Sequence, residues 1–203
     1  MKTKMQIHNL IILDESGSMM SIKDYIIGGF NEILQTLKSL EKTFPQQEHF
    51  ISFITFNGQG IKIIHFMEPL KNLGELNTST YNPQSLTPLY DAMGLGMNML
   101  ENALSEDHYS NVTVTILTDG MENDSKEYTH KDIKTLIRKL QEKDWNIKYI
   151  GTDHNVQEVA SSLSIKSHKV FHKDSIGIKH MVFKEKSDIT DFLSELHKKL
   201  NEK

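Results

Sequence analysis

Strand-like and helix-like stretches alternate along this chain, and the alternation constrains its fold more than any other feature. Residues 7–13 are mostly apolar and predict a buried strand, whereas apolar residues over 21–40 recur at helical spacing. The same alternation continues towards the C-terminus. Strands that alternate with helices pair mainly in parallel, and the helices then cover both faces of the sheet. The sequence therefore predicts an α/β fold of the doubly wound, Rossmann-like type.

The individual elements follow from the same patterns. We predict strands over residues 7–13, 50–56, 61–66, 111–117, 145–150 and 169–171. We predict helices over residues 21–40, 88–104, 130–142, 155–162 and 187–200, and a short helix and loop within 71–85. Asn57-Gly58 is typical of a hairpin turn, so the two strands beside it are expected to be antiparallel. Residues 173–186 have no clear pattern.

Two helix starts carry capping residues. Thr129 with Asp132 three positions later predicts a capping box. Thr87 before Pro88 predicts a cap followed by a proline suited to the first turn. The methionines of this second helix, Met93 and Met97, share its apolar face and are expected to be core residues. Gly28-Gly29 and Gly94 with Gly96 indicate close packing of their helices.

Length and composition limit the class of protein. The 203 residues suit one domain over 1–203, with a core over about 5–172 and a C-terminal helical extension over about 174–202. Hydrophobic residues make up 37% and charged residues 25%, and the net charge of −4 offers no attraction to nucleic acid or anionic membrane. The absence of cysteine excludes disulfides and thiolate zinc sites. Without a recognisable signal peptide or transmembrane segment, a cytoplasmic location is expected.

The first predicted strand ends abruptly in oxygen-bearing side chains. Asp14, Ser16 and Ser18 follow the apolar residues 10–13 at a spacing of two. Three short side chains of this kind, between a strand and a helix, can converge on one point. Ligands that offer only oxygen select a hard cation, Mg²⁺ or Mn²⁺ before zinc. The stretch therefore predicts half of a divalent metal site.

The other half lies downstream. Asp119 follows the strand over 111–117, and Thr87 stands at the start of a helix. Because ligands of parallel sheets bind beyond the carboxyl ends of the strands, we expect Asp14, Ser16, Ser18, Thr87 and Asp119 at one edge of the sheet. Asp14 and Asp119 are expected to repel each other when no metal neutralises them.

These residues resemble a known family. Asp-x-Ser-x-Ser at 14–18, Thr87 within Leu-Thr-Pro-Leu-Tyr-Asp-Ala, and Thr-Asp-Gly at 118–120 are similar to the metal-ion-dependent adhesion site of a von Willebrand factor type A domain. The resemblance covers residues 5–172. It implies a mostly parallel sheet with one antiparallel edge strand. It also implies a bound Mg²⁺ with one coordination position open to an Asp or Glu carboxylate of a partner.

The sequence therefore predicts a metal-dependent protein-binding module rather than an enzyme. Similar stand-alone intracellular domains of bacteria are often linked to ATPases or stress-response systems, which suggests a context for the partner. Two alternatives remain. One is a Mg²⁺-dependent phosphatase with Asp14 as nucleophile, although Ser16 stands where such chemistry normally has a second acid. The other is a regulatory subunit whose metal is purely architectural.

Several further polar residues have less specific interpretations. Glu15, Asp91, Glu122 and Asp124 are expected to be solvated or capping acids, and Asp153 is a weaker candidate for the same edge. His168 and His172 could face one side of a strand, but the sequence offers them no suitable third zinc ligand.

Overall fold

The structure is a computed structural model that describes residues 4–104, 110–152 and 156–201. Within these ranges the strands are β1 (Met5–Asp14), β2 (Gln47–Asn57), β3 (Gly60–Pro69), β4 (Ser110–Thr118), β5 (Asn146–Gly151) and β6 (Ser167–Val170). The α-helices are α1 (Lys23–Thr43), α2 (Leu89–Ala103), α3 (His130–Gln141), α4 (Val156–Ser162) and α5 (Ser175–Asn201). Short 3₁₀ helices span Gly17–Ile22 and Leu70–Asn72.

The strands form one mixed sheet in the order β3-β2-β1-β4-β5-β6. All neighbouring pairs are parallel except β2 and β3, which form the antiparallel hairpin at one edge. The predicted fold class, a mostly parallel Rossmann-like sheet with one antiparallel edge strand, is confirmed. The strand order runs in opposite directions on the two sides of β1, so a crevice is expected where β1 and β4 end.

Helices cover both faces of this sheet. On one face, α2, α3 and α4 enclose a core that includes Met93 and Met97, which are fully buried as predicted. A Cβ atom added at Gly96 would lie 2.8 Å from Ile54 Cδ1, so this glycine allows α2 to approach the sheet. Gly94 instead packs against the ring of Tyr128 in the segment before α3. The glycine pair of α2 thus serves two different contacts.

Helices α1 and α5 cover the opposite face. A Cβ atom at Gly29 would lie 2.6 Å from Val182 Cγ2, so Gly29 allows the two helices to approach closely, whereas Gly28 faces open space. Helix α5 buries Ile178, Met181 and Val182 in the core. It begins twelve residues before the predicted helix over 187–200, because its first half includes Gly177 and a mixed polar pattern that conceal the helical period. No helix in the described ranges is long and apolar enough to cross a membrane.

The two predicted helix caps differ in outcome. The capping box before α3 is confirmed, since Thr129 N donates to Asp132 Oδ2 at 2.9 Å and Asp132 N donates to Thr129 Oγ1 at 3.3 Å. The predicted cap at Thr87 is wrong. Helix α2 has Pro88 at its N-cap position, with no side-chain capping hydrogen bond. The Thr87 side chain is thus left for another role.

His49 makes the fold sensitive to acid. Its ring is buried in β2, and neither ring nitrogen has a hydrogen-bond partner among the described residues. Burial lowers the pKa of His49 from 6.5 to about 4. Since the unfolded chain then takes up the proton at a higher pH than the folded chain, this contribution to stability is complete above about pH 6.5 and falls as the pH approaches 4.

We therefore expect wild type to lose about 3 kcal/mol of unfolding free energy relative to a His49→Leu variant between about pH 7.5 and pH 4. Leucine has a similar size and no charge, and the backbone hydrogen bond from His49 N to Glu41 Oε1 does not involve the replaced atoms. Denaturant unfolding of wild type and His49→Leu at both pH values measures their difference in unfolding free energy. If this difference is the same at pH 7.5 and pH 4, the lowered pKa assigned to His49 is contradicted.

Candidate metal centre

The candidate site lies where the two central strands of the sheet end. Asp14 is the last residue of β1, and Asp119 follows Thr118, the last residue of β4. The two strands are parallel neighbours, with Leu13 beside Leu117. Both acids therefore emerge at the carboxyl edge of the sheet, at the point where the strand order reverses. The local strand patterns and the parallel pairing together bring the two carboxylates near each other.

Asp14 is buried and held by two hydrogen bonds. Its Oδ1 accepts from Ser16 N at 2.7 Å and its Oδ2 accepts from the Thr118 hydroxyl at 2.6 Å. Burial raises the pKa of Asp14 from 3.8 to about 6. The hydrogen bonds from Thr118 and Ser16 oppose this shift, and the negative charge of Asp119 adds to it. The repulsion expected between the two acids is therefore present, but it contributes less than burial.

The two serines connect the end of β1 to Asp119. Ser16 Oγ and Ser18 Oγ are 3.1 Å apart, and the Ser18 hydroxyl donates to Asp119 Oδ1 at 2.5 Å. Ser16 is buried, whereas Ser18 is exposed. The row of oxygen atoms thus runs from the protein interior to the surface.

Thr87 faces the same space from the other side. A Cβ atom added at Gly120 would lie 3.7 Å from Ser18 Oγ and 3.8 Å from Thr87 Oγ1. Thr87 is held there through its backbone, since Thr87 N donates to Asn123 Oδ1 at 2.8 Å and Asn123 N donates to Thr87 O at 3.2 Å. The two hydroxyls therefore lie close to the backbone of Gly120, next to Asp119 in the chain.

Lys173 brings a positive charge to the site. Its Nζ lies 2.6 Å from Asp119 Oδ2, an ion pair whose angles fall outside hydrogen-bond geometry. The Asp119 side chain is fully buried and the Lys173 side chain is 24% exposed. Lys173 lies between β6 and α5, 54 positions from Asp119. The sequence showed no sign of this contact, because nothing in the local pattern distinguishes Lys173 from a solvated lysine.

Further residues, which the sequence did not indicate, also hold this site in place. The Tyr81 hydroxyl donates to Asp14 O at 2.8 Å, and burial raises the pKa of Tyr81 further above its ordinary value. Thr118 and Asn123 hold Asp14 and Thr87 as described above. Thr118 was visible within the Thr-Asp-Gly motif, but only its neighbour Asp119 was considered. Tyr81 and Asn123 have no local signal, since each acts on a residue more than 30 positions away.

The less specific acids have structural roles near the site. Glu15 is buried rather than solvated, and it pairs with Lys62 at 3.0 Å and accepts from Asn82 N at 2.6 Å. Asp91 accepts hydrogen bonds from the backbone of residues 126–128. Glu122 accepts from Tyr90 N and from the backbone of residues 124–125. These acids hold the loops that surround the five oxygen-bearing residues.

The remaining candidates lie elsewhere. His168 and His172 are exposed, and no group of three His, Cys, Asp or Glu residues in the described ranges is arranged to hold a metal. Asp124 lies beside the hairpin turn, with its Oδ2 3.1 Å from a Cβ atom added at Gly58. Asp153 lies outside the described residues.

The donor set fits a hard divalent cation. Asp14 and Asp119 offer carboxylates, and Ser16, Ser18 and Thr87 offer neutral hydroxyls, so every donor is oxygen. Asp119 already attracts a cation, the Lys173 ammonium, to its buried carboxylate. The Ser18 and Thr87 hydroxyls lie near Gly120, the residue that follows Asp119 in the chain. These observations agree with a small ion at this edge of the sheet.

Comparison with sequence families gives one match. The family model described as von Willebrand factor type A domain matches residues 10–184. The match includes all five oxygen-bearing residues and the first part of α5. No curated protein matches the chain significantly.

Several solved structures share the fold. The open conformation of the pilus adhesin SpaC from Lactobacillus rhamnosus GG is 13% identical, with a TM-score of 0.66 over 95% of this chain and 31% of SpaC. This chain thus spans about a third of that adhesin. Manganese-loaded TRAP from Plasmodium vivax is 15% identical, with a TM-score of 0.56 over 82% of this chain and 68% of TRAP. The VWA domain of SpRpn10 is 10% identical, with a TM-score of 0.55 over 86% of this chain and 93% of that domain.

Proposed function

The chain belongs to the von Willebrand factor type A domain family, and from this premise we propose that it is a metal-dependent protein-binding module. In this proposal Asp14, Ser16, Ser18, Thr87 and Asp119 hold Mg²⁺ or Mn²⁺, and a protein partner offers an Asp or Glu side chain to the ion. The proposal takes residues 1–203 as one domain and places the protein in the cytoplasm. A partner linked to an ATPase or a stress-response system is consistent with it.

One observation carries the proposal. The three hydroxyls and two carboxylates, from segments up to 105 positions apart, lie at a single edge of the sheet where β1 and β4 end. A shared ligand explains this convergence better than separate roles as helix caps and turn residues do. Thr87 in particular is not a cap, so its placement beside Ser18 is explained better by a ligand role.

The side chains have distinct tasks in this site. Thr118 and the backbone of Ser16 fix the orientation of the Asp14 carboxylate, and Ser18 orients Asp119 through a hydrogen bond. The three hydroxyls add donors without adding negative charge. A divalent cation bound by so few charged groups would supply an electrophilic position that attracts an acidic side chain. Exposed Ser18 lies at the rim of the site, where a partner can approach.

The neighbouring folds agree with an interaction role. SpaC is a pilus adhesin, and TRAP was crystallised with manganese. We assign no catalytic residue to this chain, because position 16 holds Ser16, hydrogen-bonded to Ser18, rather than a second acid beside Asp14. We expect no phosphatase turnover with Mg²⁺. Turnover that Asp14→Asn abolishes would favour the hydrolase alternative.

Replacing the Thr87 hydroxyl tests the metal assignment. We expect Thr87→Val to weaken Mn²⁺ binding by about 10-fold or more, because a neutral oxygen donor is replaced by a methyl group of the same shape. Thr87→Ser, which keeps the hydroxyl, is the matched control and should bind Mn²⁺ nearly as well as wild type. Isothermal titration with MnCl₂ measures all three affinities. Equal binding by the valine variant would remove Thr87 from the site.

Partner capture tests the module itself. We expect proteins retained by the immobilised chain in Mg²⁺ to be released by EDTA and retained again when Mg²⁺ is restored in excess. Thr87→Val should retain less and Thr87→Ser should retain as much as wild type. Capture that persists in EDTA would contradict the proposal. If Mg²⁺ stabilises Thr87→Val and Thr87→Ser as it does wild type, and both variants capture partners as well as wild type, a purely architectural metal would be favoured.

A further inference from the structure

The ion pair between Lys173 and Asp119 adds an element that the five oxygen donors do not explain. The two carboxylate oxygens of Asp119 have different partners, the Ser18 hydroxyl at Oδ1 and the Lys173 ammonium at Oδ2. Lys173 comes from the segment between β6 and α5. In the sheet, β5 lies between β6 and β4, the strand that Asp119 follows. The contact therefore depends on the tertiary structure and joins the site to the start of α5.

We propose that Lys173 is a built-in counter-ion that competes with the divalent cation for Asp119 and thereby lowers the affinity of the site for metal. This inference rests on the proposed function, because it assumes that Asp119 belongs to a metal site. The ammonium neutralises a fully buried carboxylate while no metal is bound. The affinity for metal is then set by the cost of displacing the ammonium as well as by the five donors.

The burial of the two partners supports competition. A buried carboxylate without a nearby positive charge is costly, so Asp119 needs either the ammonium or another cation. A divalent ion next to Asp119 would also lie close to the Lys173 ammonium, and the two positive charges would repel each other. One of them must then move away, and the flexible lysine has a path to water, since 24% of its side chain is exposed.

The buried ion pairs of Glu185 lack that path. Lys148 and Lys169, which pair with Glu185, have side chains only 11% and 13% exposed. Both are held between the sheet and α5. Lys173 is about twice as exposed and lies at the edge of the sheet, beside oxygen atoms that suit a small cation. Its ion pair is thus placed for exchange with a soluble ion, whereas the Glu185 pairs are placed to hold α5.

Mn²⁺ affinity is the direct test. We expect Lys173→Met, which keeps the length of the side chain without its charge, to bind Mn²⁺ about 10-fold more tightly than wild type, because a positive charge that repels the divalent ion is removed. Lys179→Met is the matched control, because it removes the same charge from an exposed position on α5. The control should change the affinity less than 2-fold. Isothermal titration with MnCl₂ in the full chain measures both.

Thermal unfolding provides a second readout. In EDTA we expect Lys173→Met to melt at a lower temperature than wild type, because Asp119 stays buried without its ammonium. Saturating Mn²⁺ should reduce or reverse that difference. A purely structural lysine would instead leave the same deficit with and without Mn²⁺. Lys173→Gln, which removes the charge but keeps a polar side chain, replaces the methionine variant if the latter does not fold.

The outcomes separate this inference from the proposed function. Equal or weaker Mn²⁺ binding by Lys173→Met, with wild type still binding, would overturn the role of Lys173 and leave the metal site intact. Mn²⁺ binding by Lys173→Met but not by wild type would strongly support competition between Lys173 and the metal. Failure of both proteins to bind Mn²⁺ or Mg²⁺ would overturn the metal site and the inference together.

Discussion

Asp14→Asn is expected to raise the unfolding free energy of the metal-free protein by about 1 to 3 kcal/mol at pH 7.5. Burial raises the pKa of Asp14 from 3.8 to about 6, so keeping this carboxylate ionised at neutral pH costs folding free energy. Asparagine removes the charge but can still accept from Ser16 N and donate to the Thr118 hydroxyl. The variant therefore keeps the local hydrogen bonds and loses the cost of a buried charge.

The sign of the pH dependence follows from the raised pKa. Because the folded chain binds the proton of Asp14 more tightly than the unfolded chain, protonation of Asp14 stabilises the fold below about pH 4. That contribution is lost as the pH rises through 6. The advantage of Asp14→Asn over wild type should thus be small at pH 4 and reach its full value above about pH 6.5.

The same substitution should abolish stabilisation by metal. Wild type is expected to gain stability with increasing Mg²⁺, since a ligand of the folded state shifts the unfolding equilibrium. Asp14→Asn should gain none, because a candidate ligand has lost its charge. Denaturant unfolding from pH 4 to 7.5, in EDTA and in Mg²⁺, measures both effects. Asp191→Asn, an exposed acid of α5, is the control and should leave both unchanged.

A lower stability of Asp14→Asn at pH 7.5 in EDTA would contradict the burial cost assigned to Asp14. Undiminished stabilisation by Mg²⁺ would remove Asp14 from the metal site. Asp119 would not serve as well for this experiment, because the Lys173 ammonium already compensates its charge. Replacing Asp119 would remove a carboxylate and break its ion pair with Lys173 at the same time.

Glu185→Ala is expected to lower the unfolding free energy by about 3 to 5 kcal/mol. The Glu185 side chain is 4% exposed and pairs with Lys148 at 2.7 Å and with Lys169. Burial by itself raises the pKa of Glu185, but the charges and hydrogen bonds of the two lysines outweigh it, and the pKa is lowered. Alanine would leave Lys148 poorly exposed without Glu185, and Lys169 would keep its ion pair with Asp188 at 2.6 Å.

The structural consequence concerns the position of α5. Lys148 comes from β5 and Lys169 from β6, so Glu185 attaches the middle of α5 to two neighbouring strands. The lowered pKa means that this stabilisation is present at neutral pH and is lost as the pH falls through the pKa of the folded chain. Stability curves of Glu185→Ala and wild type should therefore converge in acid.

Denaturant unfolding at neutral and acidic pH tests this attachment. Glu195→Ala removes an exposed acid from the same helix and should change stability by less than about 0.5 kcal/mol. Combining Glu185→Leu with Lys148→Met and Lys169→Met should recover most of the lost stability, because no buried charge then lacks a partner. A loss below about 1 kcal/mol in Glu185→Ala would contradict the role assigned to Glu185.

Local patterns predicted the elements of this protein well where the pattern was regular. The alternation of strands and helices, the hairpin at Asn57-Gly58 and the capping box of Thr129 and Asp132 are all present in the structure. Each depends on residues within a few positions of one another. The first half of α5 was missed because Gly177 and a mixed polar pattern conceal its period, and because the packing of Val182 against Gly29 stabilises it instead.

The sequence by itself determined the fold class and the five candidate oxygen donors, because strand period, helix period and the ends of strands are local properties. Only the tertiary structure decided how those donors are held: Thr87 by Asn123, Asp14 by Thr118, and Asp119 by Lys173. These partners lie 36, 104 and 54 positions apart. Pairings over such distances form only when the strands and helices pack together, so local sequence patterns do not predict them.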